Sequence, residues 1–132
     1  MKLTIISIIV GALLISGAIF LSSNNNSSKI SNNQVNVNNV SIVDGKQIIT
    51  INAKGGYQPQ TSSAKAGIPT ILRFSTNGTF DCSSSIRIPS LGISKVLPQT
   101  GNTDIDLGTP QATALQGTCG MGMYRFQVNF QS

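Results

Sequence analysis

The strongest constraint on the fold is a short-range alternation of polar and apolar residues that runs from Val40 to the C-terminus. Segments of this kind are separated by turn signals at intervals of roughly 8–12 residues, a spacing typical of β-sandwiches and β-barrels. No stretch after residue 21 has a helical period. Residues 40–132 are therefore predicted to form an all-β domain.

The first two predicted strands flank Asp44-Gly45, a dipeptide that favours a tight β-hairpin turn. Further strands are expected where apolar residues recur at every second position. The predicted strands are Val40–Val43, Gln47–Asn52, a short segment near Thr61–Lys65, Pro69–Ser75, Ser85–Pro89, Thr103–Leu107 and Met123–Phe130. Because the chain has no tryptophan, we expect a core of aliphatic residues together with Phe74, Phe80, Phe126 and Phe130.

The N-terminal segment has a different character. Residues 3–21 form an uncharged, mainly aliphatic run, which as a helix would span about 28 Å, close to the thickness of a bilayer core. A cleaved signal peptide is the alternative, but its apolar core is usually shorter, about 7–15 residues. We therefore predict that residues 1–21 form a single-pass transmembrane anchor in the cell membrane, with lipid contacts through residues 3–21. Lys2 weakly favours an external domain and Lys29 weakens that bias, so the side of the membrane stays open.

Residues 22–39 are predicted to be a flexible linker. Thirteen of these 18 residues are serine or asparagine, and none is aromatic. Such a segment cannot bury enough apolar surface to offset its ordering entropy. The predicted organisation is therefore an anchor (1–21), a linker (22–39) and one folded domain (40–132).

Charge and composition exclude several function classes. From Val40 onward, seven lysines and arginines face four aspartates, a balance of only +3, and the basic residues are scattered. They form no run and do not interleave with aromatic residues, so nucleic-acid binding is not expected. The chain has no histidine, no paired-carboxylate motif and no phosphate-binding loop. We therefore expect a protein that is not an enzyme.

The sulfur-containing residues of the predicted domain are concentrated in one motif. Cys119, Met121 and Met123 alternate with glycines near the C-terminus, and Cys82 lies 37 residues upstream. Thiolate and thioether donors without imidazole favour Cu(I) over harder ions. If the fold brings Cys82 beside the motif, these four residues are candidate metal ligands for one or two cuprous ions.

The absence of histidine narrows the metal chemistry further. A blue-copper electron-transfer site uses two histidines and one cysteine, and this chain cannot supply even one imidazole. A zinc site is disfavoured because the chain has neither histidine nor a set of four cysteines, and methionine is a poor zinc ligand. The pattern therefore favours copper binding without redox catalysis.

Two other interpretations of the sulfur residues stay open. Cys82 and Cys119 could form one structural disulfide, as in many small exported domains. Met121 and Met123 could be ordinary gap-filling core residues. On this second hypothesis the protein is a surface-anchored β-sandwich that serves as an interaction module.

Five motifs carry a resemblance to a known family. In chain order they are Gly56-Tyr57-Gln58-Pro59, Lys65-Ala66-Gly67-Ile68-Pro69, Asp81-Cys82, Ile88-Pro89-Ser90-Leu91-Gly92-Ile93 and Cys119-Gly120-Met121-Gly122-Met123. In this order they resemble the cupredoxin-like domain of bacterial copper-handling proteins. With the predicted anchor, the chain is most similar to the membrane-anchored Cu(I) chaperones of the CupA type.

The resemblance implies a Greek-key β-sandwich preceded by one transmembrane helix. It also implies that Cys82 and Cys119 are the tight Cu(I) ligands and that Met121 and Met123 complete a second, weaker position. The implied role is a membrane-tethered Cu(I) chaperone or buffer in copper homeostasis or resistance. The implied partner is the metal-binding domain of a copper-exporting P-type ATPase, and a copper enzyme is an alternative recipient.

Overall fold

The computed structural model describes residues 38–132, which form two five-stranded β-sheets around a shared core. In the first sheet, β1, β2, β5 and β8 are neighbours in that order, and β3 pairs with β2. These strands are β1 Val40–Val43, β2 Lys46–Ala53, β3 Tyr57–Gln58, β5 Thr70–Asn77 and β8 Thr100–Asp106. The order in the second sheet is β4-β10-β9-β6-β7. Its strands are β4 Thr61–Lys65, β6 Ser85–Ile88, β7 Ile93–Val96, β9 Ala114–Thr118 and β10 Arg125–Gln131.

The alternating pattern of the sequence becomes an alternation of burial in the longer strands. In β2, β5 and β10, every second side chain is buried and the residues between them are less buried. Successive side chains of a strand point to opposite faces, so one face of each sheet is buried in the core. The all-β sandwich predicted from the sequence is confirmed.

Strand pairing places distant segments side by side. β2 and β5 are parallel, as are β4 and β10, while the other neighbouring pairs are antiparallel. β9 lies between β6 and β10, and Arg87 of β6 is opposite Thr118 of β9. The beginning of β6 and the end of β9 therefore lie next to each other at the same end of the second sheet.

Two strands have only a weak signal in the sequence. β9 contains one large buried apolar residue, Leu115, and also Gly117, a residue type that is depleted in strands. β7 is an edge strand whose only partly buried residue is Ile93. Their strand conformation depends on pairing with neighbouring strands more than on local preference.

The prediction that Phe80 belongs to the core is wrong, because this side chain is 77% exposed. The preceding residue, Thr79, is buried, and its hydroxyl group donates a hydrogen bond to the Ala53 carbonyl oxygen at 2.5 Å. Phe80 consequently projects outward. The place of a fourth core ring is taken by Tyr57, which is fully packed.

Three aromatic rings form the centre of the core. Tyr57, Phe74 and Phe126 contact one another edge to face, with ring centroids 5.0–6.0 Å apart. This geometry is favoured because the electropositive edge of one ring faces the electronegative face of another. In a small domain without tryptophan, this cluster supplies the large buried side chains at the centre of the core.

The predicted anchor (1–21) and nearly all of the predicted linker (22–39) lie outside the described residues. The part of the chain that the structure describes contains no helix with the length and apolar character needed to cross a bilayer.

Candidate metal site

The two cysteines lie on segments that the second sheet brings together. Cys82 begins a short 3-10 turn, Cys82–Ser84, immediately before β6. Cys119 follows the last residue of β9. Their Cα atoms are 5.7 Å apart, and the structure joins the two sulfur atoms as a disulfide. The condition set for a shared sulfur site, that the fold brings Cys82 beside Cys119 of the Cys-Gly-Met-Gly-Met motif, is therefore met.

The four candidate ligands differ strongly in solvent exposure. Cys119 is fully buried and Cys82 is partly buried. Met121 and Met123 are 82% and 65% exposed, so neither fills the core. The site therefore has cysteine sulfur on its inner side and two accessible thioethers in the loop that follows.

The loop that carries the methionines is closed by hydrogen bonds around Cys119. The Cys119 amide donates to the Tyr124 carbonyl oxygen and the Gly122 amide to the Cys119 carbonyl oxygen, each at 3.0 Å. Gly122 has φ +74°, a conformation that favours glycine, which allows the chain to turn back tightly. The Tyr124 amide also donates to Cys119 Sγ at 3.4 Å. In the reduced protein, a hydrogen bond of this kind stabilises a thiolate relative to a thiol.

The Cys82 turn is held by the preceding residue. The carboxylate of Asp81 accepts hydrogen bonds from the amide and hydroxyl groups of Ser83. It also accepts one from the Gly55 amide at 2.6 Å. The Ser83 hydroxyl group and then the two amides, with Lys54 nearby, hold the pKa of the Asp81 carboxyl below its ordinary value. Asp81 thus caps the turn and ties it to the β2–β3 connection.

This cap predicts a dependence of stability on acidity. Because the folded-state pKa of Asp81 is depressed, its stabilising effect is present above the unfolded-state pKa and is lost as the pH falls through the folded-state pKa. We expect Asp81→Ala to lower the free energy of unfolding at neutral pH by about 0.5–2 kcal/mol, as for other lost caps. Urea unfolding at several pH values measures both effects.

A companion variant, Asp81→Asn, removes the charge but keeps one side-chain oxygen, which can still accept the hydrogen bonds from Ser83 as a capping asparagine does. The amide nitrogen that replaces the second oxygen cannot accept the hydrogen bond from the Gly55 amide. It should therefore keep part of the stability that Asp81→Ala loses at neutral pH, while losing the acid dependence that comes from Asp81. Equal acid dependence in Asp81→Asn and the unsubstituted protein would contradict this role.

Beneath the site, Tyr57 connects the aromatic core to β6. Its hydroxyl group donates to the Ser85 carbonyl oxygen at 2.8 Å. Burial, with a smaller contribution from the Asp81 carboxylate, raises the pKa of Tyr57, so its hydroxyl group stays protonated as a donor. The Tyr57 side chain is itself buried in the core. The sequence indicated Ser85 only as the start of a predicted strand and gave no sign of a role at the site.

The chemistry of the site depends on the oxidation state of the cysteines. A disulfide offers no thiolate, whereas the reduced pair offers two thiolates. Together with the two thioethers of the loop that follows Cys119, they form a donor set that suits Cu(I). Within residues 38–132, there is no group of three or more histidine, cysteine, aspartate or glutamate side chains that could hold a metal ion. In the described domain, the soft donor set is therefore the candidate for holding a metal ion.

Comparison with known proteins supports a cupredoxin-like fold for the β-sandwich. A family model described as "Cupredoxin-like domain" matches residues 11–129. No curated protein sequence matches the chain. Among solved structures, the chain is similar to the metal-binding domain of the Cu(I)-exporting P-type ATPase CopA from Streptococcus pneumoniae D39, determined with Cu(I). The TM-score is 0.63 at 23% identity, over 70% of this chain and 93% of that domain.

A second solved structure gives the same result. It is an apo copper-binding protein determined by NMR in solution, with a TM-score of 0.63 and 24% identity. The match covers 70% of this chain and 94% of that protein. At these identities the likeness to both structures shows a shared fold, and the fit of the site to copper depends on the residues of this chain.

Proposed function

This chain belongs to the cupredoxin-like domain family, and on that premise we propose that it is a Cu(I)-binding protein whose tight ligands are the reduced Cys82 and Cys119. One observation carries the proposal: two cysteines far apart in sequence lie 5.7 Å apart between Cα atoms, and the loop that follows Cys119 carries two exposed methionines. Copper handling is also supported by the family and by the copper-binding proteins that share the fold.

The two kinds of sulfur have different roles in this proposal. The cysteine thiolates are negatively charged and hold the first ion tightly, while the neutral thioethers of Met121 and Met123 bind a second ion more weakly. Because both thioethers are exposed, an incoming or outgoing ion can reach them from solvent. Such a gradient suits a carrier that captures and releases its cargo by ligand exchange, without catalysing a reaction.

We further propose that residues 3–21 tether this carrier to the cell membrane and that residues 22–39 let the domain reorient. The recipient would be the metal-binding domain of a copper-exporting P-type ATPase or a copper enzyme. The first recipient is supported by the shared fold with a metal-binding domain of such an ATPase. A tether would keep the carrier at the membrane that also holds a membrane-bound recipient.

An anaerobic titration tests the binding proposal. The full chain in detergent, fully reduced, should take up one or two equivalents of Cu(I) in competition with a cuprous chelator. Free thiols are counted before the titration, because a remaining disulfide would hide the site. No uptake by a protein with two free thiols would contradict the proposal.

The methionines give a sharper prediction. Met121→Leu and Met123→Leu should each lower the affinity for the second Cu(I) ion by about tenfold or more. Leucine nearly keeps the side-chain volume but removes the sulfur donor. The affinity for the first ion should change by less than about threefold. Both methionines are exposed, so stability should change by less than about 0.5 kcal/mol.

Leu91→Ala is a suitable control, since Leu91 is an exposed apolar residue outside the loop. Its two Cu(I) affinities should match those of the unsubstituted protein. If both methionine variants bound two ions with unchanged affinities, the second position would not involve the thioethers.

The disulfide itself favours a second candidate, a β-sandwich interaction module with a structural Cys82–Cys119 bridge. The two candidates differ in how the bridge responds to reductant. A structural bridge should resist mild reductant and leave no free thiols in the isolated protein, whereas a carrier should reduce readily and then bind Cu(I).

A further inference from the structure

Ser85 connects the two segments that carry the cysteines. Its hydroxyl group accepts a hydrogen bond from the Gly120 amide at 3.0 Å and donates one to the Cys82 carbonyl oxygen at 3.3 Å. Gly120 directly follows Cys119. Among the side-chain hydrogen bonds of residues 38–132, those of Ser85 are the ones that link both cysteine-bearing segments.

The position of Ser85 is itself well defined. It is the first residue of β6 and pairs with Val96 of β7. Its carbonyl oxygen accepts the hydrogen bond from Tyr57, whose ring packs against Phe74 and Phe126. The hydroxyl group therefore projects from a site anchored in the core toward two loops that are partly exposed.

The close approach of the two segments explains a glycine in the motif. A Cβ atom on Gly120 would lie 2.7 Å from Ser85 Oγ, a separation that real structures do not tolerate. Glycine at this position lets the backbone amide reach the serine hydroxyl group. The Ser85–Gly120 contact is thus built into the loop geometry.

We propose that Ser85 is a positioning residue that keeps the reduced Cys82 and Cys119 thiols close enough to hold one metal ion together. This inference rests on the proposed Cu(I) function. The pairing of β6 with β9 brings the two segments together, but both cysteines lie just outside these strands. Because two thiolates repel each other, a hydrogen-bonded link between the two segments keeps the reduced pair close. A link of this kind raises the affinity for the metal ion, because the two cysteine-bearing segments need not be ordered when the ion binds.

The first measurement needs no metal. The reduced full chain in detergent is equilibrated with mixtures of oxidised and reduced glutathione. Each protein disulfide formed consumes one oxidised glutathione and releases two reduced molecules, so the equilibrium gives the effective concentration of one thiol near the other. Ser85→Ala should lower this effective concentration by about five- to tenfold, the effect of one or two lost hydrogen bonds.

Two further variants separate positioning from a general loss of stability. Ser85→Thr keeps the hydroxyl group and should restore most of the effective concentration. Ser94→Ala removes an exposed serine from β7 and should change nothing. A variant that only destabilised the fold would lower the free energy of unfolding without changing the equilibrium between thiols and disulfide. If Ser85→Ala behaved in this way, the proposal would be overturned.

The second measurement is Cu(I) affinity by chelator competition on the same variants. Ser85→Ala should bind the first ion about five- to tenfold more weakly, and Ser85→Thr should bind it nearly as the unsubstituted protein does. An unchanged value of either quantity in Ser85→Ala overturns the proposal. If the unsubstituted reduced protein took up no Cu(I), the proposed function would fail, while the glutathione equilibrium would still decide whether Ser85 positions the thiols.

Discussion

Replacing Cys119 by serine is expected to lower the affinity for the first Cu(I) ion by more than about a hundredfold. Loss of groups that merely support a metal ligand typically costs 10–100-fold in metal affinity, so loss of a thiolate ligand itself should cost more. Cys119 is fully buried at the end of β9, where no other sulfur can take its place without moving the loop. Anaerobic competition with a cuprous chelator measures the change.

Cys82→Ser should have a similar effect, because both thiolates are needed to hold one ion between them. Ser94→Ala provides a control at an exposed position of the same sheet. Circular dichroism must show that each cysteine variant still folds, since both also lose the disulfide. If a Cys82→Ser, Cys119→Ser double variant remained folded and still held Cu(I) tightly, the cysteines would not be the ligands.

Gly117→Ala is expected to produce the largest change in stability. Gly117 in β9 is directly opposite Phe126 in β10, and a Cβ atom at residue 117 would lie 2.1 Å from the tip of the Phe126 ring. This ring cannot move freely, because it packs against Tyr57 and Phe74. Overpacking of this kind costs about 1–3 kcal/mol or more. In a domain of this size, that lowers the melting temperature by roughly 5–20 °C.

Thermal and urea unfolding of the reduced and oxidised protein measure this effect. Gln116→Ala changes an exposed neighbour on the same strand and should alter stability by less than about 0.5 kcal/mol. In a Phe126→Leu background, which removes the ring, Gly117→Ala should cost much less than it does alone. Equal costs in both backgrounds would show that the ring is not the cause.

Because Gly117 precedes Cys119 by two residues, its substitution also bears on the site. A shift of β9 would move Cys119 relative to Cys82 and weaken Cu(I) binding along with stability. Phe126, Tyr57 and Ser85 connect the core to the candidate metal site above it.

Local signals in the sequence were sufficient for part of the fold. The Asp44-Gly45 turn has positive φ at both residues, 51° and 76°, as a tight hairpin requires, and the flanking strands pair as predicted. The short segment predicted near Thr61–Lys65 is β4, and period-two alternation identified most of β5 and β10. It placed the end of β5 too early, because pairing with β8 continues to Asn77. Sequence periodicity reports which face is buried, but the length of a strand depends on its neighbour.

The chemistry of the candidate site was determined by the sequence itself. Cysteine and methionine without histidine exclude a blue-copper centre and favour Cu(I), because ligand softness is a property of individual side chains. The identity of the four candidate ligands likewise follows from composition, since the predicted domain contains no other cysteine or methionine.

Only the tertiary structure decided how these residues are arranged. The adjacency of Cys82 and Cys119 results from the placement of β9 beside β6, a contact across 37 residues that no local pattern encodes. The outward orientation of Phe80, the contact of Gly117 with Phe126 and the bridging role of Ser85 are likewise non-local. Donor chemistry and strand periodicity are local properties of the chain, whereas distances between segments are set by the packing of two sheets around one core.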